Sequence, residues 1–281
     1  MLSSERIGFM QGRLSPLVNG HIQAFPWDCW QAEFASAKKN GLGLMEWTLD
    51  QEWLYENPLL TTAGQAEIAD LSRVHGLFIG SLTGDCFMQS PFWKAKGAAD
   101  EQLQEDFRAV ARACSVVGIS MMVLPLVDNG SLSSRAEEDQ LIAVLENHAG
   151  LLHELGIKVV FESDFAPVEL ARFIDRLDPA LFGINYDIGN SAGLGIRPAD
   201  EIAAYGQRID NVHIKDRVLG GTTVPLGTGN ADFETVFKML GRTGYQGKYI
   251  LQTARAQNGD HAGALCQYRD MVIKWIARYG A

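Results

Sequence analysis

Residues 158–190 read KVVFESDFAPVELARFIDRLDPALFGINYDIGN. Two short apolar runs, KVVFES from Lys158 and GINYDI from Gly183, flank a helix-like stretch, and each carries a carboxylate near its end, Glu162 and Asp187. The pattern continues downstream: NVHIK from Asn211 carries His213, and YILQT from Tyr249 carries Gln252. Upstream lie IGFMQG from Ile7, LMEWTL from Leu44, LFIGSL from Leu77 and MMVLPLV from Met121, eight candidate strands in all. Helical periodicity fills the intervals, as in residues 101–118 and 139–156, and Gly41, Gly76, Gly118, Gly156 and Gly244 are placed to close helices shortly before the next strand. Eight strand–helix units predict an α/β fold, a (β/α)₈ TIM barrel, with residues 1–281 as one domain. An open doubly wound sheet would call for a G-x-G-x-x-G turn after the first strand, and MQGRLSP is not one.

A chain of 281 residues with 47% hydrophobic content is long enough to bury a large core. Acids outnumber bases 34 to 24, for a formal charge of −10, which disfavours a nucleic-acid partner. The four cysteines, Cys29, Cys86, Cys114 and Cys266, are scattered without a C-x-x-C pair, so a reducing, cytoplasmic setting is expected. No segment reaches the roughly 20 apolar residues of a membrane span, and no membrane partner is expected.

Oxygen and nitrogen ligands arriving from successive strand ends are what a divalent cation needs. Side chains two apart on a strand share a face, which pairs Glu162 with Asp164, Asn185 with Asp187, and His213 with Lys215, with Arg217 next if the chain stays extended. Polar groups turned into a barrel must be solvated, paired or ligating. Glu162, Asp187, His213 and Gln252 are therefore expected to hold one divalent metal, Mn, Mg, Co or Zn; salt bridges at the barrel mouth are the competing account. The absence of thiolates in the set argues against a structural zinc cluster.

Around the mouth, Gln11, Arg13, Asp85, Lys215, Arg217 and Arg255 are expected to meet a substrate bearing carboxylate, phosphate or several hydroxyls. The aromatic residues Phe25, Trp27, Trp30, Trp53, Tyr55, Phe87, Phe92 and Trp93 either form an apolar wall against a sugar face or pack the rim. Gly227 and Gly229 in PLGTGNADF read as turn residues before they read as a phosphate site. His21 and His261 can approach the mouth, whereas His75, His148 and His153 read as structural.

In FES, NYDIGN, VHIKD and PLGTGNADF the chain resembles the sugar phosphate isomerase/epimerase superfamily of xylose-isomerase-like barrels, which includes keto-sugar 3-epimerases and sugar-acid or inositol dehydratases. The resemblance covers nearly the whole chain. It implies one divalent metal on Glu162, Asp187 and His213, substrate contact by Lys215 or Arg217, and a substrate-binding polar residue at Glu46. Relatives are often dimers or tetramers, which implies a possible homo-oligomer.

At the fourth position the family's epimerases usually have glutamate, and this chain has Gln252. An amide cannot act as the second base of a two-carboxylate epimerisation. Either Glu162 then works alone, as in a one-face isomerisation, or another group at a strand end, Glu46, Asp85 or Lys215, supplies the second proton. The expected function is a divalent-metal-dependent isomerase/epimerase of a keto-sugar or sugar derivative, working through a metal-stabilised enediolate. The alternatives are a metal-dependent lyase/dehydratase on a keto-inositol, keto-glycoside or sugar acid, and a non-catalytic sugar-binding barrel. Metal-dependent phosphodiester cleavage, as in related barrel endonucleases, would want more histidines and a basic face.

Overall fold

The computed structural model describes residues 3–281, with side chains from Glu5 onward. Eight parallel strands close into a barrel: β1 (Ile7–Met10), β2 (Leu44–Thr48), β3 (Phe78–Thr83), β4 (Met121–Leu126), β5 (Lys158–Ser163), β6 (Phe182–Asp187), β7 (Ile209–Ile214) and, after a short ribbon, β10 (Lys248–Leu251). The order β1-β10-β7-β6-β5-β4-β3-β2 is the sequential winding of a (β/α)₈ barrel. The ribbon, β8 (Asp216–Arg217) and β9 (Thr223–Val224), is antiparallel and outside the barrel. It marks a departure from the sequence reading: past Lys215 the chain leaves the barrel wall, and Arg217 pairs with Thr223 instead of extending β7.

The helices are α1 (Trp30–Lys39), α2 (Thr62–His75), α3 (Asp85–Gln89), α4 (Ala98–Val117), α5 (Arg135–Leu155), α6 (Pro167–Ile174), α7 (Ile188–Leu194), α8 (Pro198–Tyr205), α9 (Phe233–Thr243) and α10 (His261–Tyr279). Their buried faces follow the three-and-four spacing of the sequence: Phe107, Val110, Ala111 and Cys114 on α4, and Leu141, Leu145, His148 and Leu152 on α5. Helix starts are capped by Thr61, Ser134, Asp232 and Asp260, each accepting an N–H from the first turn. The five glycines read as helix stops all have left-handed φ, between +65° and +84°.

Inside the barrel, Leu44 and Ile250 form an apolar floor with Met10. One pleat higher the lining turns polar, with Glu46, Ser81, Asn211 and His213 all fully buried. Register fixes the site above this layer, because Asp187 lies opposite His213 and Glu162 opposite Pro125. No helix of the described residues is long and apolar enough to cross a membrane.

Most of the expected aromatic wall is core. Phe25, Trp30, Phe87, Phe92 and Trp93 are buried, where they pack the rim, and Trp53 and Tyr55 remain exposed. The PLGTGNADF turn has its amides taken up internally: Gly227 and Gly229 donate to Asp216 Oδ2 and Ala231 donates to Asp216 Oδ1. A carboxylate of the chain itself sits where a phosphate would have to bind.

Candidate metal centre and active site

Glu162, Asp187 and His213 offer one ligand atom each, all within 4.8 Å of one another. The three are buried, at the C-terminal ends of β5, β6 and β7. His213 Nδ1 is 3.2 Å from Glu162 Oε2 and 4.0 Å from Asp187 Oδ2. Its Nε2 donates to Glu46 Oε1 at 2.7 Å. Burial opposes charge on this imidazole, but Glu46 and Glu162 outweigh it and raise the pKa to about 10.

The carboxylates are held in place by amides. Asn185 donates to Glu162 Oε2 at 3.0 Å and Asn190 to Glu162 Oε1 at 2.5 Å. Asp187 is the N-cap of α7 and accepts Asn190 N–H through Oδ1 at 2.8 Å, which leaves Oδ2 facing His213 and Lys215. Gly189 allows this close passage, since a Cβ there would lie 2.5 Å from Lys215 Cγ.

Gln252 joins the cluster through a lysine. Lys215 Nζ donates to Asp187 Oδ2 at 3.0 Å, Asn190 Oδ1 at 3.0 Å and Gln252 Oε1 at 3.2 Å. The Gln252 amide nitrogen donates to Gln23 Oε1 at 2.8 Å, and Gln23 in turn donates to Asp85 Oδ2 at 2.7 Å. Glu162, Asp85, Lys215, Arg217, Gln252, Gln23 and Asn190 all line one cavity of about 650 Å³ at the barrel mouth. His21 reaches it too, as its loop position allowed; among the described residues no aromatic side chain other than that imidazole lines it.

Four expected mouth residues are elsewhere. Glu46 is fully buried beneath His213, where Ser81 and Asn211 also donate to its Oε2 at 2.7 and 3.1 Å. It bonds the imidazole from below and does not line the mouth cavity. Gln11 is fully buried and accepts Thr48 N–H. Arg13 is turned inward onto Thr253 O and Ile22 O, and burial together with nearby Arg255 lowers its pKa to about 9. Arg255 bonds Ser15 O and Ile22 O. Both guanidiniums tie the loop after β1 to the segment after β10. They do not line the cavity.

Sequence reasoning missed Gln23, Asn190 and Asn211. Asn211 shares strand parity with His213, so its inward direction was available. Asn190 stands three residues past Asp187, a capping spacing. Gln23 lies in an irregular loop with no periodic signal.

Asp85, in the first turn of α3, is buried, and its pKa is raised to about 7 by desolvation and by Asp50 and Glu162, against the hydrogen bond from Gln23. Its unfolded value is near 3.8, so the unfolded chain loses this proton first. The contribution to stability is complete below about pH 4 and lost as pH rises through about 7. Calorimetric melting between pH 4 and 8 should therefore show a steeper decline for wild type than for Asp85→Asn; parallel curves would contradict the assignment.

A closed parallel barrel with an acid–imidazole cluster at the carboxyl ends of its strands defines the class, a (β/α)₈ protein with buried ionisable groups gathered at the strand mouth. Residues 34–270 match the model of the xylose isomerase-like TIM-barrel family, and the chain belongs to that family. Inosose dehydratase of Bacillus anthracis (strain CDC 684 / NRRL 3495) is 27% identical over 156 residues, 47% of this chain and 52% of that protein. That of Geobacillus kaustophilus (strain HTA426) is 31% identical over 140 residues, 42% of this chain and 46% of that protein. The chain thus spans about half the length of these curated relatives. Among solved structures, the IOLI protein with a bound zinc atom superposes with a TM-score of 0.75 at 14% identity, covering 98% of this chain and 99% of that one. The 3-keto-D-glucoside 4-epimerase YcjR from E. coli superposes at 0.68 with 18% identity, covering 97% and 99%. At these identities the structures establish the shared fold.

Proposed function

We propose that the protein is a divalent-metal-dependent enzyme that removes a proton beside the carbonyl of a keto-sugar or sugar derivative. One observation carries the reading: Glu162, of the Glu162–Asp187–His213 cluster, lines a cavity that also holds Asp85, Lys215 and Arg217. The residues fit a cation of the Mn, Mg, Co or Zn kind. Two carboxylates and an imidazole converge, and Glu46 anchors the far ring nitrogen as carboxylates do behind metal-bound histidines. When bound, the cation would polarise the substrate carbonyl and acidify the neighbouring C–H.

The chain's own groups supply the rest. Glu162, held by Asn185 and Asn190, takes the proton. Lys215 and Arg217 meet the negative charge that develops on oxygen. Asp85, still carrying a proton near neutral pH, returns one to the substrate. Proton return to carbon gives an isomerase or epimerase, with Asp85 replacing the missing second glutamate. A lyase is the second reading, favoured by Gln252 and by the protonated Asp85, because β-elimination needs an acid for the departing oxygen. The inosose dehydratases among the relatives support it.

The test is solvent deuterium exchange into a panel of ketoses, keto-inositols and sugar acids, with and without Mn²⁺. Metal-dependent deuterium incorporation is expected, and product analysis then separates isomerase, epimerase and lyase. Absence of exchange across the panel, with Mn²⁺ bound, would remove the reading and favour a sugar-binding barrel.

Gln252→Glu tests the fourth position. A carboxylate there should tighten Mn²⁺ binding at least about tenfold by adding a charge in a partly buried site. Unchanged calorimetric affinity would mean that Gln252 stays a partner of Lys215 and is not a ligand.

A further inference from the structure

A second cleft, of about 450 Å³, adjoins the first and shares His21, Gln23 and Gln89 with it. Its walls are of a different kind. Phe25, Trp27 and Trp53 line it, with Asp50 and Glu52 at its edge. Trp27 stands edge-to-face between Phe25 and Trp53, with ring centroids 4.8 and 5.8 Å away. Trp53 is 60% exposed and has φ of +55°.

Only three described non-glycine residues have positive φ, and all three line these cavities: Asn19 and Trp53 the second, Asp128 the first. Asn and Asp adopt that conformation readily; a bulky indole does so against a steric penalty. Strain of this kind persists where a site requires a side chain in a given place. Here it projects a large apolar face into solvent beside a polar cavity.

We infer that the second cleft is a subsite for a further sugar ring, so that the substrate is a neutral keto-glycoside of disaccharide size. This rests on the proposed function. Each cavity lies in the range of about 300–1,000 Å³ that takes one small ligand, and the two are adjacent, with Gln23 and Gln89 lining both. The indoles offer apolar faces to the C–H surface of a pyranose. Asp50 and Glu52 accept hydrogen bonds from sugar hydroxyls, and their charge repels an anionic group. Asp50 is held in place by Phe25 N–H and by the Gln89 amide, both at 2.9 Å.

The probes are the keto-disaccharides isomaltulose, maltulose, turanose and lactulose against fructose, titrated calorimetrically into Mn²⁺-loaded protein. At least one disaccharide should bind tenfold or more tightly than fructose. Trp27→Ala and Trp53→Ala should each collapse that ratio. Trp53→Gly should collapse it while raising the melting temperature, because glycine relieves the left-handed backbone; a bystander tryptophan would not give that pair of changes. Equal binding of all probes, no binding of any, or a preference that survives both alanine variants overturns the subsite. A dimer that Trp53→Ala converts to monomer also overturns it, by assigning the cleft to a second copy. A tryptophan-dependent preference without solvent deuterium exchange would leave the subsite standing and sink the proposed chemistry instead.

Discussion

Asp85→Asn should lower the rate of proton exchange and turnover by about 10²–10⁴-fold, the usual contribution of a positioned acid or base. Manganese affinity should stay within a few fold, because Asp85 is outside the Glu162–Asp187–His213 cluster. The substitution is close to isosteric, and the amide oxygen can still accept from Gln23, so the loss would report the proton and not the packing. The pH profile gives the sharper reading. Burial lifts this carboxyl to about 7, so an acid role predicts that kcat/KM in the wild type falls above pH 7. The variant should lack that limb. Lys215 is the rival proton source; it is bonded to Asp187, Asn190 and Gln252 and carries a different signature, since its removal also takes a cation away from the carboxylates. An Asp85→Asn enzyme with wild-type turnover and the wild-type alkaline limb would pass the acid role to that lysine.

The barrel and its ligand cluster were legible for a physical reason. Strand parity and the strand–helix alternation are local properties, and together they direct Glu162, Asp187 and His213 to one mouth. What parity cannot give is depth. Glu46 and His213 both face inward, but only the packed barrel puts Glu46 beneath the ring, sealed by Ser81 and Asn211 and away from the mouth cavity. The basic residues mislead for a related reason. Arg13 and Arg255 are near the mouth in sequence, yet each donates to backbone carbonyls, Thr253 O and Ile22 O for Arg13 and Ser15 O and Ile22 O for Arg255. Among the described residues Lys215 and Arg217 are the lysine and arginine that line the mouth cavity. Gln23 was beyond reach because its position depends on the path of an irregular loop. It links Gln252 to Asp85 through two hydrogen bonds, and no periodic pattern announces it.

Glu46→Ala should be the most costly single change to stability, at about 3–5 kcal/mol, the usual effect of removing one partner from a buried ion pair. His213 Nε2 and Ser81 Oγ lose their acceptor and Asn211 Nδ2 keeps only Asn185 Oδ1, all inside a fully buried layer. In metal-free protein the pair also sets a pH window. The His213 pKa is raised from 6.5 to about 10, so its stabilisation is complete below pH 6.5 and lost as pH rises through about 10. Denaturant titrations of wild type should therefore show stability falling across that interval. Glu46→Ala should be weaker at neutral pH and flatter above it. Manganese binding should also weaken, by about 10–100-fold, because the imidazole loses the carboxylate that fixes its orientation and raises its basicity. Glu46→Gln, which keeps an acceptor for the ring N–H without the charge, should fall between the two. A Glu46→Ala protein as stable as wild type, with unchanged manganese affinity, would show that His213 is held by Asn185 and Glu162 alone, and the carboxylate beneath it would have no part in building the site.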